Sequence, residues 1–264
     1  IQLMPLFLIA IGLEILNGRR SIWGSLQVEV LTVAIAAGAL WLRQTGAEGG
    51  LAAMGKQVSH PQDAATEATV DVEPGDRVQR VVALPEAANL VEGNLQLAVG
   101  EKLNQEVARA GDRATLELQT TRYGWNPFRG SSGLQRVWEL GLSPAPLLQL
   151  KTSLGLGEAS LDMTGLALSD LQTDMGVGFT RVTLPAQGRF QASIDGAVGM
   201  TTVVIPRGLE ARIRADSGLA VRVMPAGYRR EGDVYSSPGY DSAKDRVDLT
   251  LSQAIGLLEV QTQD

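Results

Sequence analysis

Apolar and polar positions follow three regimes along the chain. The first is almost wholly apolar. Ile1 to Leu16 reads IQLMPLFLIAIGLEIL, with Glu14 its one acid. Asn17 to Ser21 breaks the run, and Ile22 to Leu42 resumes it with one acid, Glu29, and a tryptophan near each end, Trp23 and Trp41. No polar stripe of helical period crosses either segment. The pattern predicts an α-helical transmembrane hairpin over residues 1–43, its first helix continuing upstream, with interfacial Trp as an aromatic belt. A pair of buried helices in a soluble protein is the competing reading. In the bilayer hairpin, Glu14 and Glu29, costly in lipid, face each other, a partner helix or water near a helix end. No small-residue cleavage site follows either run, which argues against a signal peptide. Arg19 and Arg20 lie in the hairpin loop, whereas Arg43 and Lys56 beyond it are offset by Glu48. The positive-inside rule therefore places that loop in the cytoplasm and the C-terminal domain outside.

The second regime, residues 44–78, is rich in Gly, Ala, Gln, Asp, Glu and Thr and poor in large apolar residues. It reads as a solvated, flexible linker. The chain's one histidine, His60, falls here, before Pro61.

The third regime, residues 79–264, alternates with the period of β-strands. From about Leu150 it also repeats. SLGLGEASLDM starts at Ser153, DMGVGFTRVTL at Asp174, DGAVGMTTVVI at Asp195 and DSGLAVRVMP at Asp216, a constant spacing of about 21 residues. A weaker copy, SQAIGLLEVQ, starts at Ser252 after an insertion. Leu156, Val177, Val198 and Leu219 share one register; Leu161, Val182, Val203 and Met224 share another. Shorter alternating stretches lie between, at 166–168, 190–194 and 209–214, with turn signals at Pro185, Pro206 to Gly208 and Pro225 to Gly227. One coil cannot bury its own apolar side, so stacked neighbours must share a core. The prediction is an all-β, single-stranded β-helix of about 21-residue coils, four or five in sequence. An antiparallel sandwich is the competing architecture. Upstream, VQRVVAL, NLQLAVG, ATLELQTTRY, LQRVWELGL and PLLQLKT are strand candidates, and Leu95 to Gly100 reads as a degenerate earlier coil. Trp138, in alternating Val137-Trp138-Glu139-Leu140, is expected in the core.

Composition narrows the chemistry. Thirty glycines against four Phe, four Tyr and four Trp point to many tight turns and an aliphatic core. A formal charge of −6 argues against nucleic acid as a partner. The absence of cysteine excludes disulfides, thiolate catalysis and Cys-ligated metals. A Ser-His-Asp arrangement would need a histidine in the folded domain. Gly155-Leu156-Gly157 and Gly176-Val177-Gly178 begin like nucleotide-binding loops, but no helix follows, so they read as coil corners. Asp162, Asp170, Asp174, Asp195 and Asp216 recur near coil ends, where Asp favours turns; a calcium row or an acid pair for glycoside hydrolysis is the sharper alternative. No catalytic, metal or cofactor site is assigned, and the chain is expected not to be an enzyme.

The stretches LPEAANLVEGNLQLAVGEKL, VWELGLSPAPLLQLKTSLGLGEASLDMTGLALSDLQTDMGVGFTRVTLP and GYDSAKDRVDLTL resemble the LiaF-like, toast-rack family of bacterial envelope membrane proteins. The resemblance runs from about residue 79 to the end and includes the preceding apolar segments. It implies a membrane-anchored, non-catalytic protein acting in the cell-envelope stress response, with a sensor histidine kinase as partner. A structural or adhesive module that self-associates into a homo-oligomer is the alternative.

The interaction-like residues are few. Arg122, Tyr123, Trp125, Phe128 and Arg129 concentrate aromatics with arginine, as binding surfaces do. The insertion at residues 228–244 adds Tyr228, Tyr235 and Tyr240. For both segments the alternative is a cap on the solenoid's open end.

Overall fold

The computed structural model describes residues 54–263, apart from 87, 99 and 123–135. The membrane hairpin expected over 1–43 lies outside the described residues. Among them no helix is long and apolar enough to cross a membrane. Residues 1–51 and 52–264 are two separate compact units, and the second carries everything below.

That unit is all-β, with fourteen strands: β1 (Met54–Pro61), β2 (Glu67–Glu73), β3 (Arg77–Ala83), β4 (Asn89–Leu97), β5 (Glu101–Ala110), β6 (Arg113–Arg122), β7 (Val137–Leu142), β8 (Leu147–Asp162), β9 (Ala167–Thr183), β10 (Arg189–Ile205), β11 (Glu210–Val223), β12 (Arg229–Glu231), β13 (Val234–Ser236) and β14 (Arg246–Thr262). Five long strands pair in parallel in the order β8, β9, β10, β14, β11. The repeat sets their register: Leu161 lies beside Val182, Val182 beside Val203, and Val203 beside Val260. All four are buried.

Each long strand is one coil, bent into two legs at its glycine-rich centre. The bend is visible in the alternation. In β9, from Leu171 on, the buried residues are odd-numbered before it (Leu171, Thr173, Met175) and even-numbered after it (Thr180, Val182). One extra residue at Gly176-Val177-Gly178 shifts the phase, so both legs turn their apolar side to the same core. The stretches expected as second strands, such as 190–194, are the first legs of the coils that follow.

Glycine is required at the bend by the neighbouring coil. Gly157, Gly178, Gly199 and Gly256 have φ of +151°, +151°, +140° and +127°. A Cβ on Gly178 would stand 1.9 Å from the carbonyl oxygen of Gly157, and one on Gly199 1.8 Å from that of Gly178. Coils stacked about 4.8 Å apart leave no room for a methyl there.

Three expectations are corrected. The copies do not stack in chain order, because β14 lies between β10 and β11. The insertion after β11 lets the chain skip a position and return. At the bend β14 places Gly256 against Gly199, and β11, outermost, places Ala220 beside Gly256. The linker expected over 44–78 is, from Met54 onward, folded. Its Glu67–Glu73 alternates with Ala68, Val70 and Val72 buried, a strand signal hidden by small and acidic residues. β2 and β3 together form a further coil, in constant register with β8 from Glu67 beside Leu147 to Val81 beside Leu161. Finally, Leu95 belongs to β4, which runs antiparallel to β1 and β7 and is not a coil.

Beyond β8 the stack divides. The first legs continue through β2, β6 and β5, and the second through β3, β7, β4 and β1. β2, β3, β6 and β7 keep the parallel coil pattern; β5, β4 and β1 close it with antiparallel pairs. Trp138 is fully buried, as expected.

Candidate interaction surfaces

The aromatic and arginine segment interrupts the β6 to β7 coil where the other coils make their bend. Arg122 is the last residue of β6. Tyr123, Trp125, Phe128 and Arg129 lie outside the described residues.

The second tyrosine group is turned inward, a correction to its reading as an exposed surface. Tyr235 and Tyr240 are buried, and Tyr228 packs partly buried against the core. The Tyr240 hydroxyl donates to Asp248 Oδ1 at 2.6 Å, and its ring lies under the guanidinium of Arg212 at 4.1 Å. Arg230 covers Tyr235 at 5.3 Å. The β12–β13 hairpin pairs with Arg212 to Arg214 of β11, and Ser237 exchanges hydrogen bonds with Ala211. The insertion is a lid over the first leg of β11: rings against the core, arginines outside them. Burial, and secondarily Glu210, pushes the Tyr228 phenol up to about 12.

At the opposite end of the stack a charge is buried. Arg77 is fully inaccessible and pairs with Glu101, donates to the Gln96 carbonyl at 3.0 Å, and lies over Trp138 at 4.9 Å. Glu101 also accepts from the Ala98 N–H at 2.7 Å. This cluster joins β3, β5 and β7, and nothing in the sequence pattern marked it.

The outer side of the first legs is polar. Gln149, Asp170, Gln191, Asp248 and Arg212 stand in one row, and Lys151, Gln172, Ser193, Thr250 and Arg214 in the next. They hydrogen-bond along and across strands: Gln172 Nε2 donates to Asp170 Oδ2 at 2.8 Å, and Ser193 Oγ to Asp195 Oδ2 at 3.1 Å. The recurrent aspartates thus serve the strand face as much as the turns. Asp174, beside Asp195 and partly desolvated, has its carboxyl above the ordinary range, burial being the larger cause. Among the described residues no group of acids and His could hold a metal ion. His60 Nε2 lies 2.9 Å from Gln105 Oε1, bridging β1 to β5.

The outer side of the bend is apolar. Leu156, Val177, Val198, Ile255 and Leu219 form one row across all five coils and point outward. Phe179, Met200 and Val221 extend it on the second leg. Phe179 is 59% exposed and Leu219 82%. The shared register expected for this row is present, but on the outer surface. The phase shift that buries both legs leaves the residue between the two small ones facing out. That small–aliphatic–small triplet is the signal from which the ridge was legible.

The profile of the N-terminal domain of toast-rack proteins (DUF2154) matches residues 52–204. No curated protein matches the chain. Among solved structures, a protein from Clostridium sporogenes provisionally described as a cell adhesion protein superposes with a TM-score of 0.73 at 19% identity, covering 80% of this chain and all of that one. A provisionally described adhesin from Bacteroides fragilis covers 80% of this chain and 98% of its own, at 10% identity and a TM-score of 0.32. The first likeness bears on the fold alone; the second is too loose to bear on it. The profile match, with the in-register stack and its glycine bends, makes this chain a member of the toast-rack family.

Proposed function

We propose that this chain is a non-catalytic interaction scaffold of the bacterial cell envelope, tethered by its N-terminal apolar segments with the β-domain outside the cytoplasm. The observation that carries this reading is the apolar ridge. A row of aliphatic side chains is held outward on a backbone that its glycines fix in place, an arrangement suited to presenting a surface. Its partner is a membrane protein of the envelope stress response, a sensor histidine kinase in the family's pattern. Affinity capture of the full chain from membranes, compared with a V177E/F179E variant, tests this. Capture of a kinase by the wild type and its loss in the variant is the expected result. Equal capture by both, or no kinase at all, refutes it.

A second reading, a structural or adhesive module that self-associates, is supported by a different feature. On the side away from β14, β11 has no strand beside it from Asp216 to Val223 among the described residues.

A further inference from the structure

A β-sheet edge offers a row of unpaired N–H and C=O groups, and proteins blunt such edges with charge, proline or short length. Three edges of this fold are treated that way. β5 carries Glu101, Lys102, Glu106 and Arg109; β12 is Arg-Arg-Glu; β1 carries Lys56 and ends at Pro61. β11 is divided. Its first leg is covered by the β13 hairpin from Arg212 to Arg214, and Ala215 still donates to the Asp233 carbonyl. From Asp216 to Val223 no described strand follows. That stretch carries Leu219, Val221 and Val223, which are 82%, 63% and 43% exposed, together with Asp216 and with Arg222, whose guanidinium donates to the Ala215 carbonyl at 2.9 Å and pairs with Asp233 at 3.1 Å.

We infer that this half-edge of β11 is a homodimer seam, at which a second copy of the chain adds its own β11 in antiparallel pairing about a two-fold axis. The occupant must be an extended strand, because hydrogen-bonding backbone is what the edge presents. A parallel, head-to-tail continuation is opposed on both sides. The bend ladder that registers parallel coils ends at β11, where Ala220 replaces glycine. The opposite end of the stack, β1 and β5, is antiparallel and charged. Only an isologous contact, the same edge against itself, uses the open apolar strand twice and leaves no new edge to propagate. Pairing about eight residues per copy, at about 3.3 Å each, follows about 26 Å of chain through the bend at Gly218-Leu219-Ala220. With the exposed parts of the three aliphatic side chains, this comes to roughly 1,000–1,200 Å² in total, the lower limit of specific interfaces. The dimer is therefore of the weak, reversible class.

The chain has no cysteine, so single-cysteine variants report contacts directly. The full chain, solubilised in detergent where its apolar segments require it, is oxidised with V221C, L219C or V223C in turn, and with V107C on the β5 edge as the control. The expected result is a disulfide-linked dimer that peaks at one of the three β11 positions, is absent for V107C, and stops at two copies. V221K alters a side chain that is already largely exposed. It should keep the far-ultraviolet β signal and the thermal midpoint while abolishing dimer in equilibrium sedimentation. The inference is overturned by equal cross-linking at Val107 and Val221, by a ladder of higher multimers, by cross-linking to another protein in place of dimer, or by unchanged sedimentation of V221K. Loss of kinase capture in V177E/F179E with an intact β11 dimer would separate this seam from the ridge.

Discussion

Replacing Gly178 by alanine tests the stacking argument at its tightest point. The new Cβ would lie 1.9 Å from the Gly157 carbonyl oxygen, 2.9 Å from its carbon and 3.2 Å from its nitrogen. These are backbone atoms of the adjacent coil and cannot rotate aside. The φ of +151° adds conformational strain of about 1–3 kcal/mol for a residue with a side chain. Relief requires moving coils apart at the bend, which breaks one or two ladder hydrogen bonds at about 1 kcal/mol each. Together these predict a destabilisation of about 2–5 kcal/mol, a large part of the 5–15 kcal/mol typical of a domain. Urea unfolding followed by circular dichroism measures it. Gly55→Ala is the control: its Cβ would meet only Asn94 Oδ1, at 3.6 Å, and its φ is not positive. That change should be within about 0.5 kcal/mol of wild type. A G178A midpoint indistinguishable from that of G55A would refute the claim that the neighbouring coil's carbonyl dictates glycine.

Other perturbations probe the ends of the stack. Glu101→Gln removes the carboxylate facing buried Arg77 and should destabilise by about 3–5 kcal/mol, whereas the double variant R77M/E101L should recover most of that loss in the same urea assay. Val182→Ala opens a cavity in a fully buried column and should cost about 1–3 kcal/mol by thermal unfolding. Asp174 has its folded-state pKa raised, so the folded protein holds the proton more tightly than the unfolded chain. Stability from this group falls as pH rises from 3.8 through the raised value, and D174N should gain a few tenths of a kcal/mol at pH 7 and nothing below 3.8, read from denaturant midpoints across pH. Tyr228 should remain protonated to about pH 12 in any protein still folded, so Y228F should delete the latest step of the tyrosinate absorbance titration.

The repeat was legible because a stacked coil leaves a strict mark: equivalent residues recur at one interval and the small residues recur with them. Leu161, Val182 and Val203 were placed in register from spacing alone, and they are neighbours in the core. What spacing could not convey was direction. Leu156, Val177 and Val198 repeat as faithfully as the core column and lie outside, because the bend inserts a residue and inverts which parity is buried. In the coil made by β2 and β3, β3 is legible as VQRVVAL, but β2 is hidden for a different reason. Its buried positions are Ala68, Val70 and Val72, small residues among acids and threonines, and its bend is Pro74-Gly75-Asp76 instead of a glycine pair. Tyr235 and Tyr240 looked like a surface because aromatics beside arginine are ambiguous between a binding site and a lid. The structure separates the two by which side of the ring the guanidinium covers.

The displaced copy connects the fold to its surfaces. Had the fourth repeat followed the third directly, Ala220 would stand where Gly256 now lies, with a Cβ needing space at a site where the alternative Gly256 Cβ would be 1.8 Å from the Gly199 oxygen. β14 continues the glycine ladder, and β11, outermost, carries alanine beside Gly256. The insertion that makes the exchange possible then has one leg of β11 to cover, and it does so with Tyr235, Tyr240 and their arginines. Beyond Ala215 no described strand covers the other leg on that side, and only Arg222, paired with Asp233, ties it to the insertion. The order of strands, the tyrosine lid and the open half-edge thus meet at β11. An A220G variant would make the two copies equivalent at that position and weaken the discrimination between them. Hydrogen exchange would then show protection at β14 residues near Gly256 falling toward that of the β11 edge. Unchanged protection there would mean that the insertion alone, and not the glycine, sets the order.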